Sequence, residues 1–168
     1  MKRNILFLFA FALILMSCSE NPEVSSAYNK YRLKDGVVTV SVPGWVVHLA
    51  AKFGDLDKPE RELLESIDRV KVIAVDDPDL NREIDLHKEF YARISENGNY
   101  EELMAVRDDD ENVTIFGVME DDVIKEMLIL VGGNDDNALV YIKGHISPDI
   151  LNDQIDIGNP DKFLSLKF

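Results

Sequence analysis

YEELMAVRDDDENVTIFGVMEDDVIKEMLILVGGNDDNALVYIKGHI, residues Tyr100–Ile146, alternates apolar runs with short acidic or glycine-bearing links. Tyr100–Arg107, Asn112–Met119, Val123–Val131 and Ala138–Gly144 read as strands, rich in Val, Ile, Leu and Phe. The links are Asp, Asn, Glu and Gly, which is hairpin chemistry. Strands joined so tightly must run antiparallel to their neighbours, so this half of the chain is a meander. Met127–Val131 is wholly apolar and belongs in the middle of the sheet.

Working outward, Val37–Val42 (VVTVSV) alternates as a strand and Val70–Val75 (VKVIAV) is a β-branched one. Between them, Pro43 suits the first turn of a helix whose apolar side is Trp45, Val46, Leu49, Ala50 and Phe53. A second short helix over Pro59–Ile67 buries Leu63, Leu64 and Ile67. Asp77-Pro78-Asp79 supplies an N-cap, a proline at the first position and an acid in the first turn. Leu80, Ile84, His87, Tyr91 and Ile94 continue that helix, and Asn97-Gly98 ends it. Earlier, Ser26 caps a brief helix presenting Tyr28, Tyr31 and Leu33, stopped at Asp35-Gly36. Ser147-Pro148-Asp149 opens a last helix with Ile150, Leu151 and Ile155 to bury. In the tail Gly158–Phe168, Phe163, Leu164, Leu166 and Phe168 dock or add a strand.

The order is β-α-α-β-α, then a four-stranded meander, then a helix. It predicts an α+β fold: a mainly antiparallel sheet of about six strands with helices packed on one face. A right-handed crossover should join the first two strands if they are parallel. No repeat or linker divides residues 26–168, which read as a single domain.

The start of the chain has a different grammar. Lys2 and Arg3 precede Ile5–Met16, built only of Ile, Leu, Phe, Ala and Met. As a helix these residues rise about 18 Å, short of a hydrocarbon core of about 30 Å. Residues 1–17 match a secretory signal. Leu15-Met16-Ser17-Cys18 resembles the bacterial lipobox, which implies lipidation of Cys18 and cleavage before it. Residues 18–25 are then the lipidated cysteine and a polar tether (SENPEVS). Ser19, not aspartate, follows the cysteine, and by the enteric sorting pattern that favours the outer membrane of a Gram-negative bacterium. The implied partner of Cys18 is the membrane itself.

The net charge is −14, and losing Lys2 and Arg3 makes it −16. Nucleic-acid phosphate repels such a chain, so nucleic-acid binding is disfavoured. Cys18 is the only cysteine, so the mature domain forms no disulfide and folds on packing alone.

Gly36–Phe53 (GVVTVSVPGWVVHLAAKF), Ile67–Asp76, and the blocks YEELMAVRD, ENVTIFGVMED, VIKEMLILVGG and ALVYIKGHI within Tyr100–Ile146 resemble a family of small bacterial lipoproteins, domain of unknown function 4252. The resemblance implies a lipid-anchored single domain without assigned activity, and points towards envelope regulation. It carries no catalytic residues onto this chain.

Acidic clusters are the first candidates for chemistry: Asp76, Asp77 and Asp79; Asp108, Asp109, Asp110 and Glu111; Glu120, Asp121 and Asp122; Asp135 and Asp136. An EF-hand loop begun at Asp108 fails, because its glycine position is Val113 and its last position is Met119. In a meander, though, alternate turns share an end of the sheet. Asp108–Glu111 and Asp135–Asp136 would then meet, with Glu120–Asp122 at the far end. That edge would be a divalent-cation site or a docking patch for a basic partner, against the plainer reading of soluble turns.

His48, His87 and His145 share no ligand spacing and read as structural residues. There is no free thiol and no G-x-S-x-G elbow. Gly132-Gly133 reads as a turn rather than a phosphate cradle. Trp45, Tyr28, Tyr31, Phe53, Phe90, Tyr91, Phe116 and Tyr141 read as core rather than pocket lining. These readings assign no catalytic residue and no cofactor, and argue against an enzyme. The leading expectation is a lipid-anchored, non-catalytic interaction or regulatory module with an envelope protein partner. The alternative is a lipoprotein that binds a small ligand or a divalent cation.

Overall fold

The computed structural model describes residues 21–150 other than 97, 108–110 and 135. Its frame is one sheet of six strands: β1 (Val37–Pro43), β2 (Ile67–Val75), β3 (Glu101–Arg107), β4 (Glu111–Glu120), β5 (Val123–Gly133) and β6 (Ala138–Ile146). Their order is β1-β2-β6-β5-β4-β3, and every neighbouring pair is antiparallel. The fold is thus α+β, and the second half is the meander that its turn chemistry predicts. At the β4–β5 turn, Asp121 (φ 52°) and Asp122 (φ 60°) both take the left-handed backbone of a two-residue hairpin. β2 joins β6, with Lys71 opposite Tyr141, so β1 and β2 extend the meander at one edge.

β1 and β2 pair directly and run antiparallel, so the crossover proposed for a parallel pair does not arise. The chain between them forms two helices, α2 (Gly44–Phe53) and α3 (Lys58–Glu65), that fold over one end of the sheet. Gly44 starts this excursion because an added Cβ would sit 2.6 Å from the Asp68 carbonyl oxygen. Asp57 and Glu60 close a capping box at the start of α3.

The helices divide between the two faces of the sheet rather than sharing one. Residues alternate sides along β5. Leu128 and Leu130 join a cluster with Val24, Ala27 and Tyr31 of α1 (Pro22–Tyr31) and with Leu86, Phe90 and Ile94 of α5 (Leu86–Ser95). Met127 and Ile129 join a second cluster with Val47 of α2, against which Leu63 and Leu64 of α3 pack. The physical reason is that β5 and β6 are apolar on both faces, and each face must be covered.

Three boundaries correct the expectations from sequence, and the first is that α3 ends at Glu65, so Ile67 opens β2 instead of closing a helix. The segment 18–25 is not all tether, because α1 begins at Pro22 and Val24 is fully buried. Asn21 is the N-cap: its Oδ1 accepts from the backbone N–H of Glu23 (2.8 Å) and of Val24 (3.2 Å). The long helix expected after Asp77 is two helices, α4 (Pro78–Asn81) and α5, the second capped afresh by Asp85. Residues 148–150 are helical, as Ser147-Pro148-Asp149 suggests, while Leu151, Ile155 and the tail lie outside the described residues.

Helices α1 and α5 are clamped by Glu89. Its carboxylate accepts from Lys30 Nζ and from the Tyr31 hydroxyl, both at 2.6 Å. Burial works to raise the pKa of Glu89, but the bonds from Lys30 and Tyr31 outweigh it and leave it below its ordinary 4.5. A depressed carboxylate stabilises the fold above its unfolded pKa, and that share is lost as pH falls through the folded value. Lys30 is half exposed, so most of the worth is assigned to the Tyr31 bond. Glu89→Gln should cost about 1–2 kcal/mol in urea denaturation at neutral pH. The deficit should shrink in acid, where the wild-type carboxylate is protonated too. An equal deficit at both pH values would refute the charge-assisted clamp.

Candidate functional site

The β3–β4 and β5–β6 connections lie at the same end of the sheet, because Glu111 pairs with Gly133 and Asn112 with Gly132. Glu120–Asp122 closes the other end. Of the carboxylates expected to gather, Glu111 is half-buried and Asp136 exposed, whereas Asp108, Asp109, Asp110 and Asp135 lie outside the described residues. Strand β2 adds what reading the meander alone misses. It ends beside the β5–β6 connection, with the Val75 N–H donating to the Asn137 carbonyl at 2.9 Å. That delivers Asp76, Asp77 and Asp79 to the same end.

Several of these acids already have structural duties. Asp77 Oδ1 accepts from the N–H of Asp79 and of Leu80, both at 2.9 Å, and so caps α4. Asp85 caps α5 by accepting from the Lys88 N–H at 2.7 Å. Asp79 pairs with Arg82 at 3.0 Å. Among the described residues no three His, Cys, Asp or Glu side chains converge as a metal site would require. A cleft of about 180 Å³ lies here, lined by Val75, Asp76, Asp77, Asn81, Arg82 and Asn134 among others. Small-molecule sites are usually about 300–1,000 Å³, so this one suits a side chain better than a ligand.

The end is held together by a buried amide pair that periodicity could not reveal. Asn137 Oδ1 accepts from the Leu86 N–H at 3.0 Å and so fixes the start of α5. Its Nδ2 lies 3.1 Å from the Asn81 carbonyl, and 3.0 Å from both Asn81 Oδ1 and the Gly133 carbonyl. Asn81 Nδ2 in turn donates to the Asn134 carbonyl at 3.3 Å. A hairpin turn and a helix–helix junction are thereby locked to each other.

The histidines are dispersed. His48 Nε2 donates to the Ile67 carbonyl at 2.9 Å and ties α2 to β2. His87 Nε2 meets Thr114 Oγ1 at 2.9 Å and its ring stacks on Tyr91, with burial pushing its pKa down. His145, exposed, lies 3.4 Å from Asp68. The Tyr100 hydroxyl donates to Glu126 at 2.5 Å, and burial raises the Tyr100 pKa well above its ordinary value.

Phe90, Phe116, Tyr31 and Tyr141 are core residues, as expected. Trp45 and Phe53 are not: both are exposed, and the buried side of α2 is Gly44, Val47 and Ala51. Cys18 lies outside the described residues. No helix among the described residues is long and apolar enough to cross a membrane.

No curated protein and no solved structure matches the chain. A family described as a domain of unknown function, DUF4252, matches residues 31–153, from the last turn of α1 through the whole sheet. The chain, with its six-stranded antiparallel sheet and capped acidic end, belongs to the DUF4252 family.

Proposed function

We propose that this protein is tethered to the outer membrane by lipid on Cys18 and works there as a non-catalytic interaction module. Its acidic end takes up a basic surface of an envelope protein. One observation carries this. The end bearing Asp76, Asp79, Glu111 and Asp136 is opposite the end at which α1 enters the domain, so an anchored domain holds it away from the bilayer. Asp76 and Asp136 cap none of the described helices, so their charge is not spent on a helix start. The small cleft favours this over ligand carriage.

The test is cross-linking in intact cells with the full-length chain as bait. A specific partner should be recovered by the wild type. It should be lost when Asp76→Asn, Asp79→Asn, Glu111→Gln and Asp136→Asn are combined, and its binding should weaken with added salt. No partner above background, or one that ignores the neutralised end, would defeat the proposal.

A further inference from the structure

Helix α2 turns much of its apolar surface outward. Trp45, Leu49 and Phe53 recur every fourth residue and are 69%, 49% and 75% exposed. Scattered exposed apolar residues are ordinary, but a helical row of them with two aromatics is a patch. Edge strand β1 adds exposed Val38 and Val40, which share with Val42 the face that α2 covers. Residues 36–54 contain no Asp or Glu in a chain that carries 32 of them.

The position of this row gives it meaning. β1 hands over to α2 at Pro43, opposite Arg69 near the start of β2. Helix α1 begins at that same end. It runs antiparallel to α5, with Glu23 near Arg93 (3.7 Å) and Lys30 on Glu89. Tyr100, in the same core cluster as Val24 of α1, bonds Glu126 near the start of β5 through its hydroxyl. Only Ser19 and Glu20 separate Cys18 from buried Asn21. That is at most about 10 Å of chain. An acyl group on Cys18 would therefore hold this end of the domain against the bilayer.

Resting on the proposed acylation of Cys18, we infer that Trp45, Leu49 and Phe53 form a membrane-seating face, inserted where phospholipid headgroups meet acyl chains. Trp and Phe on an amphipathic helix suit that depth, and Lys52, whose ammonium lies 5.9 Å from the Phe53 ring centre, can reach back to phosphate. The missing carboxylates fit as well, since a charge carried into the interface would lose its water. The Glu120–Asp122 turn shares this end but lies beyond β6, roughly 15 Å along the sheet from β1 at about 4.8 Å per strand. On the near side Glu62 and Glu65 of α3 and Asp68 of β2 are exposed as well, so seating is confined to the outward row of α2 itself.

Trp45 is the only tryptophan, so its fluorescence reports on this face alone. The full chain, purified from membranes and checked for acylation by intact mass, is reconstituted into phosphatidylcholine vesicles. Its emission should be blue-shifted, quenched by brominated lipid, and several-fold less accessible to aqueous iodide than in soluble Cys18→Ser protein. Leu49→Glu with Phe53→Glu, both at exposed positions, should restore iodide access while the acylated chain stays in the vesicles. An acylated chain with Trp45 still open to iodide would overturn the inference and leave the anchor intact. A chain without acyl mass would remove the anchorage reading and the inference with it. Trp45 already shielded in Cys18→Ser protein without lipid would overturn the inference in favour of a second copy or the chain's own residues.

Discussion

Asn137→Ala should destabilise the domain by about 3–5 kcal/mol, because it orphans several buried groups together. The Leu86 N–H loses its acceptor at the first turn of α5, and the Asn81 carbonyl and side-chain oxygen lose their donor. Asn137 is 2% exposed and Asn81 3%, so water does not readily replace either bond. The loss of a buried, unsatisfied N–H or C=O costs about 1–3 kcal/mol each, and more than one is created here. Asn137→Asp separates geometry from chemistry. It keeps an acceptor for Leu86 but aims a carboxylate at the Asn81 and Gly133 carbonyls, so it too should destabilise, and more at neutral pH than in acid. Urea denaturation checks both. A loss under about 1 kcal/mol for Asn137→Ala would mean that the junction is held by packing.

How far the sequence speaks depends on the kind of signal. The meander was legible because a strand pattern followed by a tight Asp, Asn or Gly turn leaves one topology open. The β2–β6 pairing was not, since nothing local to either strand names a partner more than sixty residues away. That pairing is what carries Asp76, Asp77 and Asp79 to the acidic end, so the candidate site was half visible. The start of α1 is legible as well, since Asn21-Pro22-Glu23 is the same cap, proline and acid as Asp77-Pro78-Asp79. Its polarity suggested tether, yet Val24, Ala27 and Tyr31 supply enough of a stripe to bury.

Helix α2 shows a different limit. GWVVHLAAKF is apolar over most of its circumference, so periodicity cannot say which side faces the sheet. The decision falls to the close approach of Gly44 to Asp68 and the His48 bond to Ile67, both tertiary. They rotate Val47 and Ala51 inward and leave Trp45 and Phe53 outside. The exposed row was invisible in the sequence for that reason, and it is the feature that ties the fold to the proposed address.

Cys18→Ser should move the protein from the membrane fraction to the soluble one without unfolding it. The magnitudes decide which element anchors. Two acyl chains bring about 30 methylenes, worth about 24 kcal/mol if fully buried. Trp45, Leu49 and Phe53 together are worth at most about 5 kcal/mol once partial insertion and lost side-chain freedom are counted. An apolar row of that size orients a tethered domain but does not hold a free one at the dilution of a cell lysate. The described core is untouched, because its two clusters draw on residues from Val24 to Ile146 and the α1 cap is made by Asn21. Thermal melting of Cys18→Ser should therefore match that of the acylated chain in detergent. Fractionation followed by a salt wash checks the anchor: a variant that stays with the membrane would show that something other than lipid on Cys18 holds it there.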